Sequence, residues 1–245
     1  MAGHSKWANI KHRKGKADAK KGKIFSRVAK EIISATKLGG PDPKSNPRLR
    51  IALQKAREAN MPNENIERNI KKASSADQAD YHEMTYELYG HGGVGIIVDV
   101  MTDNKNRIAS EMRIATNKRG GTIASPGAVA FNFDRKGVMQ IAKKNAIEDE
   151  LFLAVTEAGA EDFEASDDMY MITTDPTHLY AVRDAINHLG FTCESAELEM
   201  IPKNYVDCDA ETAKENLALI DWLEELEDVD AVYHNMKIPE ELQEG

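Results

Sequence analysis

The sequence predicts an α+β chain of three units, and three observations carry that prediction. Apolar residues recur at three- and four-residue spacing through the first 75 positions. Runs of β-rich residues begin only after position 80. Over residues 137–203 the elements then read strand, helix, strand, strand, helix, strand, the order of a ferredoxin-like split unit. At 245 residues, 41% of them hydrophobic, the chain can bury several cores, which excludes a disordered or fibrous protein.

Residues 17–38 read as a helix whose apolar stripe is Ile24, Phe25, Val28, Ile32 and Ala35, ended by Gly39-Gly40-Pro41. Lys23, Arg27, Lys30 and Lys37 gather on the other face, so the helix is expected to be basic on its outer side. A second helix begins at Asn46-Pro47 and runs to about Asn60, with Leu49, Ala52, Leu53 and Ala56 inward and Arg48, Arg50, Lys55 and Arg57 flanking. A shorter helix after Met61-Pro62 carries Ile66 and Ile70, with Arg68, Lys71 and Lys72 late in it, where cations suit the dipole. Ala73–Asp80 is small, polar and aperiodic, which marks a linker.

Beyond it, Glu83–Tyr89 and Val94–Met101 read as strands joined by the tight turn Gly90-His91-Gly92-Gly93. Asp103 is expected to cap a helix over Asn104–Lys118 that ends at Gly120-Gly121, and Ala128–Phe133 to resume as strand. The next round is a strand at Val138–Ile141, a helix near Ala146–Ala158 with Ile147, Leu151 and Val155 in register, strands at Asp162–Ala165 and Met169–Thr173, a helix over Pro176–Leu189 and a strand at Glu194–Ile201. A last helix with Leu219, Trp222, Leu223 and Leu226 and a strand at Ala231–Met236 supply what the first αβ unit lacks. The expected division is therefore a basic helical unit at 1–75, an αβ unit at 81–136 plus 207–245, and an αβ unit at 137–203 inserted into the second.

Composition narrows the function. Only Cys193 and Cys208 occur, so neither a disulfide framework nor a Cys-rich zinc module can be assembled, and a reducing, cytoplasmic setting is expected. No apolar run reaches membrane-spanning length, and the basic first 16 residues precede no apolar stretch of the kind a secretory signal needs. The net charge of -9 hides a division: Met1–Ser75 holds 19 basic and 6 acidic residues, the remainder 13 basic and 35 acidic. A positive head on an acidic trunk attracts a polyanion at one end and repels it at the other.

Among the motifs, Gly90-His91-Gly92-Gly93-Val94-Gly95 matches the dinucleotide fingerprint, but a strand follows it where a phosphate-binding helix would be needed, so no nucleotide cofactor is expected. The seven His show no metal spacing, and neither a nucleophile elbow nor a phosphate loop is present, so no catalytic residue, metal or enzyme activity is expected. The carboxylates Glu161, Asp162, Glu164, Asp167 and Asp168 read as a solvated acidic surface. The first 16 residues contain no acid, and their Lys6, Lys11, His12, Arg13, Lys14 and Lys16 are expected to be unstructured alone and to order along a phosphate backbone, with Lys20, at the start of the first helix, as a further contact. Trp7 either stacks on a base or packs on the first helix. Asn104, Lys105 and Arg107, at an exposed helix start, suit phosphate or RNA.

The start MAGHSKWANIKHRK, then Gly22-Lys23-Ile24-Phe25, Asn46–Arg50, Asn60-Met61-Pro62, Thr102–Arg107, Ala158–Asp162 and Val232–Asn235, resembles the YebC/PmpR family of probable transcriptional regulators over nearly the whole chain. The resemblance implies a helical N-terminal domain and two ferredoxin-like αβ domains, the third inserted in the second, in a bacterial cytoplasmic DNA-binding regulator. Mitochondrial relatives resemble translational activators, and part of the bacterial family is linked to the ribosome and proline-rich synthesis. The chain departs from the family pattern at Leu88, His91 and Ile108, where Gly, Pro and Thr are common. The family offers no catalytic residues to carry over.

The expected function is thus a nucleic-acid-binding regulator that grips DNA without a membrane. The alternatives are a ribosome-associated translation factor on ribosomal RNA and an αβ small-molecule sensor. The expected contacts are the tail with Lys23, Arg27, Lys30, Arg48, Arg50, Lys55, Arg57 and Asn104, Lys105 and Arg107. The sequence sets no oligomeric state.

Overall fold

A computed structural model describes residues 5–12, 21–75 and 80–243. Residues 5–12 form helix α1. Helices α2 (Lys21–Gly39), α3 (Pro47–Glu58) and α4 (Asn63–Ala73) follow. They close around Val28, Ile32, Ala35, Leu49, Ala52, Ala56, Met61 and Ile66, the apolar stripes expected from their spacing. Asn46 makes the corner between α2 and α3. Its Oδ1 accepts from the Leu49 N–H, and its Nδ2 donates to the carbonyls of Ala35 and Gly40 at 2.8 Å each. Gly39 is required there, because a Cβ would lie 2.7 Å from the Asn46 side chain.

Two four-stranded sheets follow. The first contains β1 (His82–Tyr89), β2 (Gly95–Thr102), β3 (Thr122–Ile123) and, from the far end of the chain, β9 (Val229–His234), in the order β3-β1-β2-β9. β2 lies between two partners and is covered on both faces, so Ile96, Ile97 and Val98 are all buried and the strand reads as a continuous apolar run. Helices α5 (Lys105–Arg119) and α8 (Ala210–Glu225) cover one face through Leu88, Ile96, Ile108, Met112, Leu219 and Leu223. Leu88 and Ile108, where the chain departs from the family pattern, are both fully buried in this core.

The second sheet has the order β5-β6-β4-β7, from β4 (Phe133–Ala142), β5 (Asp162–Ala165), β6 (Met169–Thr174) and β7 (Ser195–Pro202). Helices α6 (Glu148–Glu157) and α7 (Leu179–His188) pack on it over Met139, Ile141, Leu151, Ile172, Val182 and Ile186. This is the strand order of a ferredoxin-like unit, with every neighbour antiparallel. The first sheet repeats the arrangement with one change: its strand between β3 and β2 enters from the N-terminal side, and the segment between β3 and α8 is occupied by the second sheet. β8 (Val206–Asp207) and β10 (Met236–Lys237) form a short parallel pair where the chain returns.

Several expectations need correction. Asp103 does not cap α5: Asn104 does, its side chain accepting from the N–H groups of Asn106 and Arg107, while Asp103 pairs with Arg107 at 2.7 Å. Residues 128–132 are not strand. Glu87 on β1 takes the N–H groups of Gly127, Val129 and Ala130 at 2.6 to 2.7 Å, which holds the segment as turns and a 3-10 turn before β4 begins at Phe133. Burial alone would lift the Glu87 carboxyl, and those three donors more than reverse it, keeping it below the usual range. Ile147 lies before α6 and is exposed instead of joining Leu151 and Val155. Of the expected linker, Ala73 is a buried part of α4 and residues 76–79 lie outside those described.

Candidate nucleic-acid interface

The N-terminal cations divide into those turned inward and those left to solvent. The outward basic face expected of α2 is an inward one. Lys30 is 7% exposed and donates to the Asp228 carboxylate at 3.0 Å and to the carbonyls of Glu227 and Met101. Lys23 donates to the carbonyls of Glu224 and Leu226, where α8 ends and its backbone acceptors are unsatisfied. Arg27 reaches the Asp230 carbonyl at 3.2 Å and lies 3.5 Å from Glu31. The docking surface is the turn from α8 to β9, in which Glu224, Glu225, Glu227, Asp228 and Asp230 put five acids in seven residues.

The same correction applies elsewhere. Lys55 is bound by Glu31 at 2.8 Å and Arg48 by Glu83. Arg107 lies on Asp228 at 2.5 Å as well as on Asp103, so the start of α5 spends its guanidinium internally. Asp228 is the hub: it also accepts from the Thr102 hydroxyl at 2.8 Å. Burial raises its carboxyl, and Arg107, Thr102 and Lys30 together pull it below the ordinary range.

Part of the tail is folded as well. Ile10 is buried against Val138 and Met171 on the second sheet's outer face, with Trp7 and Ile201 packed beside it. Trp7 is therefore a packing residue, and it packs on the inserted unit instead of the first helix. Lys6 binds Glu164 at 2.5 Å and Asp162 at 3.4 Å; Glu164 is half-buried by this, whereas Asp162 stays on the solvated acidic surface expected of it. Glu161 is likewise paired, with Lys136. His12 is partly buried, whereas Lys11 is exposed. Arg13, Lys14, Lys16 and Lys20 lie outside the described residues.

What remains outside is a different set. Arg50 and Arg57 on α3 and Lys105 on α5 are exposed as expected. Arg68, Lys71 and Lys72 on α4 and Lys44 before α3 are exposed too, and none of these seven meets a carboxylate partner among the described residues. The late cations of α4 are visible in the sequence, where compensation of the helix dipole accounts for them equally well.

A family model for the TACO1/YebC protein N-terminal domain matches residues 5–76, and one for the TACO1/YebC second and third domain matches residues 81–236. The chain belongs to the TACO1/YebC family. It is 84% identical over 243 residues, 99% of each chain, to a probable transcriptional regulatory protein of Protochlamydia amoebophila. A protein of the same name from Chlamydia trachomatis serovar L2 is 60% identical over 96% of this chain and all of its own. The crystal structure of a conserved hypothetical protein from Aquifex aeolicus matches with a TM-score of 0.84 at 44% identity, covering 96% of this chain and 98% of that one. The α+β architecture is thus that of a TACO1/YebC protein. Among the described residues, no helix is long and apolar enough to cross a membrane.

Proposed function

We propose that this TACO1/YebC protein is a regulator of gene expression that acts in the cytoplasm by binding nucleic acid, DNA first, and not by catalysis. Its grip is the outward surface of α3 and α4, joined by Lys11, Lys105 and the tail cations Arg13, Lys14, Lys16 and Lys20. The observation that carries the reading is the group Arg50, Arg57, Arg68, Lys71 and Lys72, exposed on two consecutive helices that both pack on α2, with no carboxylate partner among the described residues. The relatives named as probable transcriptional regulatory proteins support the regulatory role. The proposed division of labour follows the three units: 1–75 binds, while 81–136 plus 207–245 and the inserted 137–203 hold it in place.

Five phosphate contacts give a log K against log salt slope of about -4.5 on duplex DNA, and tail contacts steepen it. The double variant R57E/K71E is expected to weaken binding and to flatten that slope by about 2, whereas K55E, at a position already spent on Glu31, is expected to leave the slope nearly unchanged. A salt-independent wild type rejects the reading, and an unchanged R57E/K71E moves the surface elsewhere. Recovery of the protein with ribosomes instead of promoter DNA, at physiological salt, would replace DNA by ribosomal RNA as the target.

A further inference from the structure

Phe131 is 71% exposed at the centre of a segment that is otherwise firmly held. Its neighbours Val129 and Phe133 are buried against Ile97, Ala231 and Tyr233. The Glu87 carboxylate takes three backbone N–H groups of the segment, and the Tyr89 hydroxyl donates to the Ala128 carbonyl at 2.8 Å. From the other side Lys203 Nζ donates to the Phe131 carbonyl at 3.0 Å, the Lys203 N–H to the Asn132 carbonyl at 2.8 Å, and Asn132 Nδ2 to the Asn204 carbonyl at 3.0 Å. A ring fixed in water in this way forfeits its own burial, yet it has little backbone entropy left to lose when something covers it.

The groups beside the ring identify what would cover it. Lys203 is exposed and shares its ammonium between the Phe131 carbonyl and Asp134 at 3.1 Å, which leaves one of its three N–H donors. Asp134 offsets much of its charge, so this is a hydrogen-bonding cation more than an electrostatic anchor. Asn204 is exposed and donates to Asn132 Oδ1 at 3.1 Å, which leaves its own Oδ1 and a second N–H on each amide. An aromatic face with amide donors, an amide acceptor and one ammonium is the chemistry that receives an unpaired base.

We propose that Phe131, Asn132, Lys203 and Asn204 form a stacking site for one base of single-stranded nucleic acid. The site rests on the nucleic-acid reading above, and uses a surface separate from α3 and α4. A base stacked on an aromatic ring contributes on the order of 1–3 kcal/mol, a factor of roughly 5 to 150 in affinity.

The test measures binding of the full chain to oligouridine and oligothymidine of about 12 nucleotides, and to a duplex of equal length, at fixed salt. F131A is expected to weaken both single strands about 10-fold or more and to leave the duplex unchanged. F131W is expected to keep the affinity, with emission quenched on binding beyond the wild-type signal of Trp7 and Trp222. F131L keeps apolar surface but no π face, and is expected to fall with F131A. If F131L binds single strands like wild type, apolar contact and not a π face holds the strand, and stacking is overturned. If F131A binds single strands like wild type, or the wild type binds only duplex, the site is overturned while the α3–α4 reading stands. If the wild type binds neither, both fall. A preference between the two oligomers names RNA or DNA as the source of the base.

Discussion

Asp228 concentrates more of the molecule's electrostatics than any other single residue described above. It is 1% exposed, yet it accepts from Lys30 in α2, Thr102 at the end of β2 and Arg107 in α5. Removing its charge strands a buried ammonium, and breaking a pair of this kind costs about 3–5 kcal/mol. Asp228→Asn is expected to lose that much in urea unfolding. Lys30→Met is expected to lose less, because Arg107 and Thr102 still satisfy the carboxylate. The folded carboxyl sits below its unfolded value, so its stabilisation is present above that unfolded value and is lost as pH falls through the folded one. Equal losses from the two variants would contradict the hub assignment.

At the scale of elements, the apolar stripes of α2, α3 and α4 and the punctuation at Gly39-Gly40 and Asn46-Pro47 were legible because helix period and capping are local. The direction of Lys23, Arg27 and Lys30 was not. A basic helix face has the same spacing whether water, nucleic acid or the chain's own acids cover it, and the partner here lies some 200 residues downstream. The capping error at Asp103 has the opposite scale: Asp and Asn both cap well, and one residue of register separates them. The α2–β9 contact also carries a titration. Burial lifts the Asp230 carboxyl to about 6, with the charge of Arg27 opposing the rise and that of Glu31 adding to it. An acid with a raised folded pKa binds its proton more tightly in the native state, so stability falls as pH climbs from about 4 to about 6. Asp230→Asn is expected to lack that decline, so the difference in unfolding free energy between it and wild type changes across that window, by at most about 3 kcal/mol. A constant difference over the whole window would refute the raised value.

For the whole molecule, the division of charge at residue 75 invites a picture of two lobes kept apart, but opposite charge on one flexible chain docks. The N-terminal helices bind the first sheet unit through Lys23, Arg27 and Lys30, and the inserted unit through Arg183 of α7. Arg183 is 5% exposed, donates to Gln54 of α3 at 2.8 Å, lies 3.5 Å from Glu58 and stacks on Tyr180 at 4.9 Å. Helix α1 adds a wedge, with Ile10 in the inserted unit and Asn9 donating to the carbonyls of His234 and Met236 in the first. Three small cores therefore unfold together as long as these seams hold, the polar ones on the helical unit and the apolar ones around Ile10 and Phe133 between the others, since each core alone is marginal. Arg183→Ala cuts the link between α3 and α7 and loses the stacking on Tyr180, while its carboxylate neighbours Glu58 and Asp184 are exposed and rehydrate, so the loss falls on the seam. The expected result is a helical unit that opens first: amide exchange in α3 and α4 accelerates by an order of magnitude or more while β4 and β6 keep wild-type protection. Uniform acceleration across all three units would mean that the chain opens as one cooperative body, with Arg183 contributing to global stability instead of to the seam.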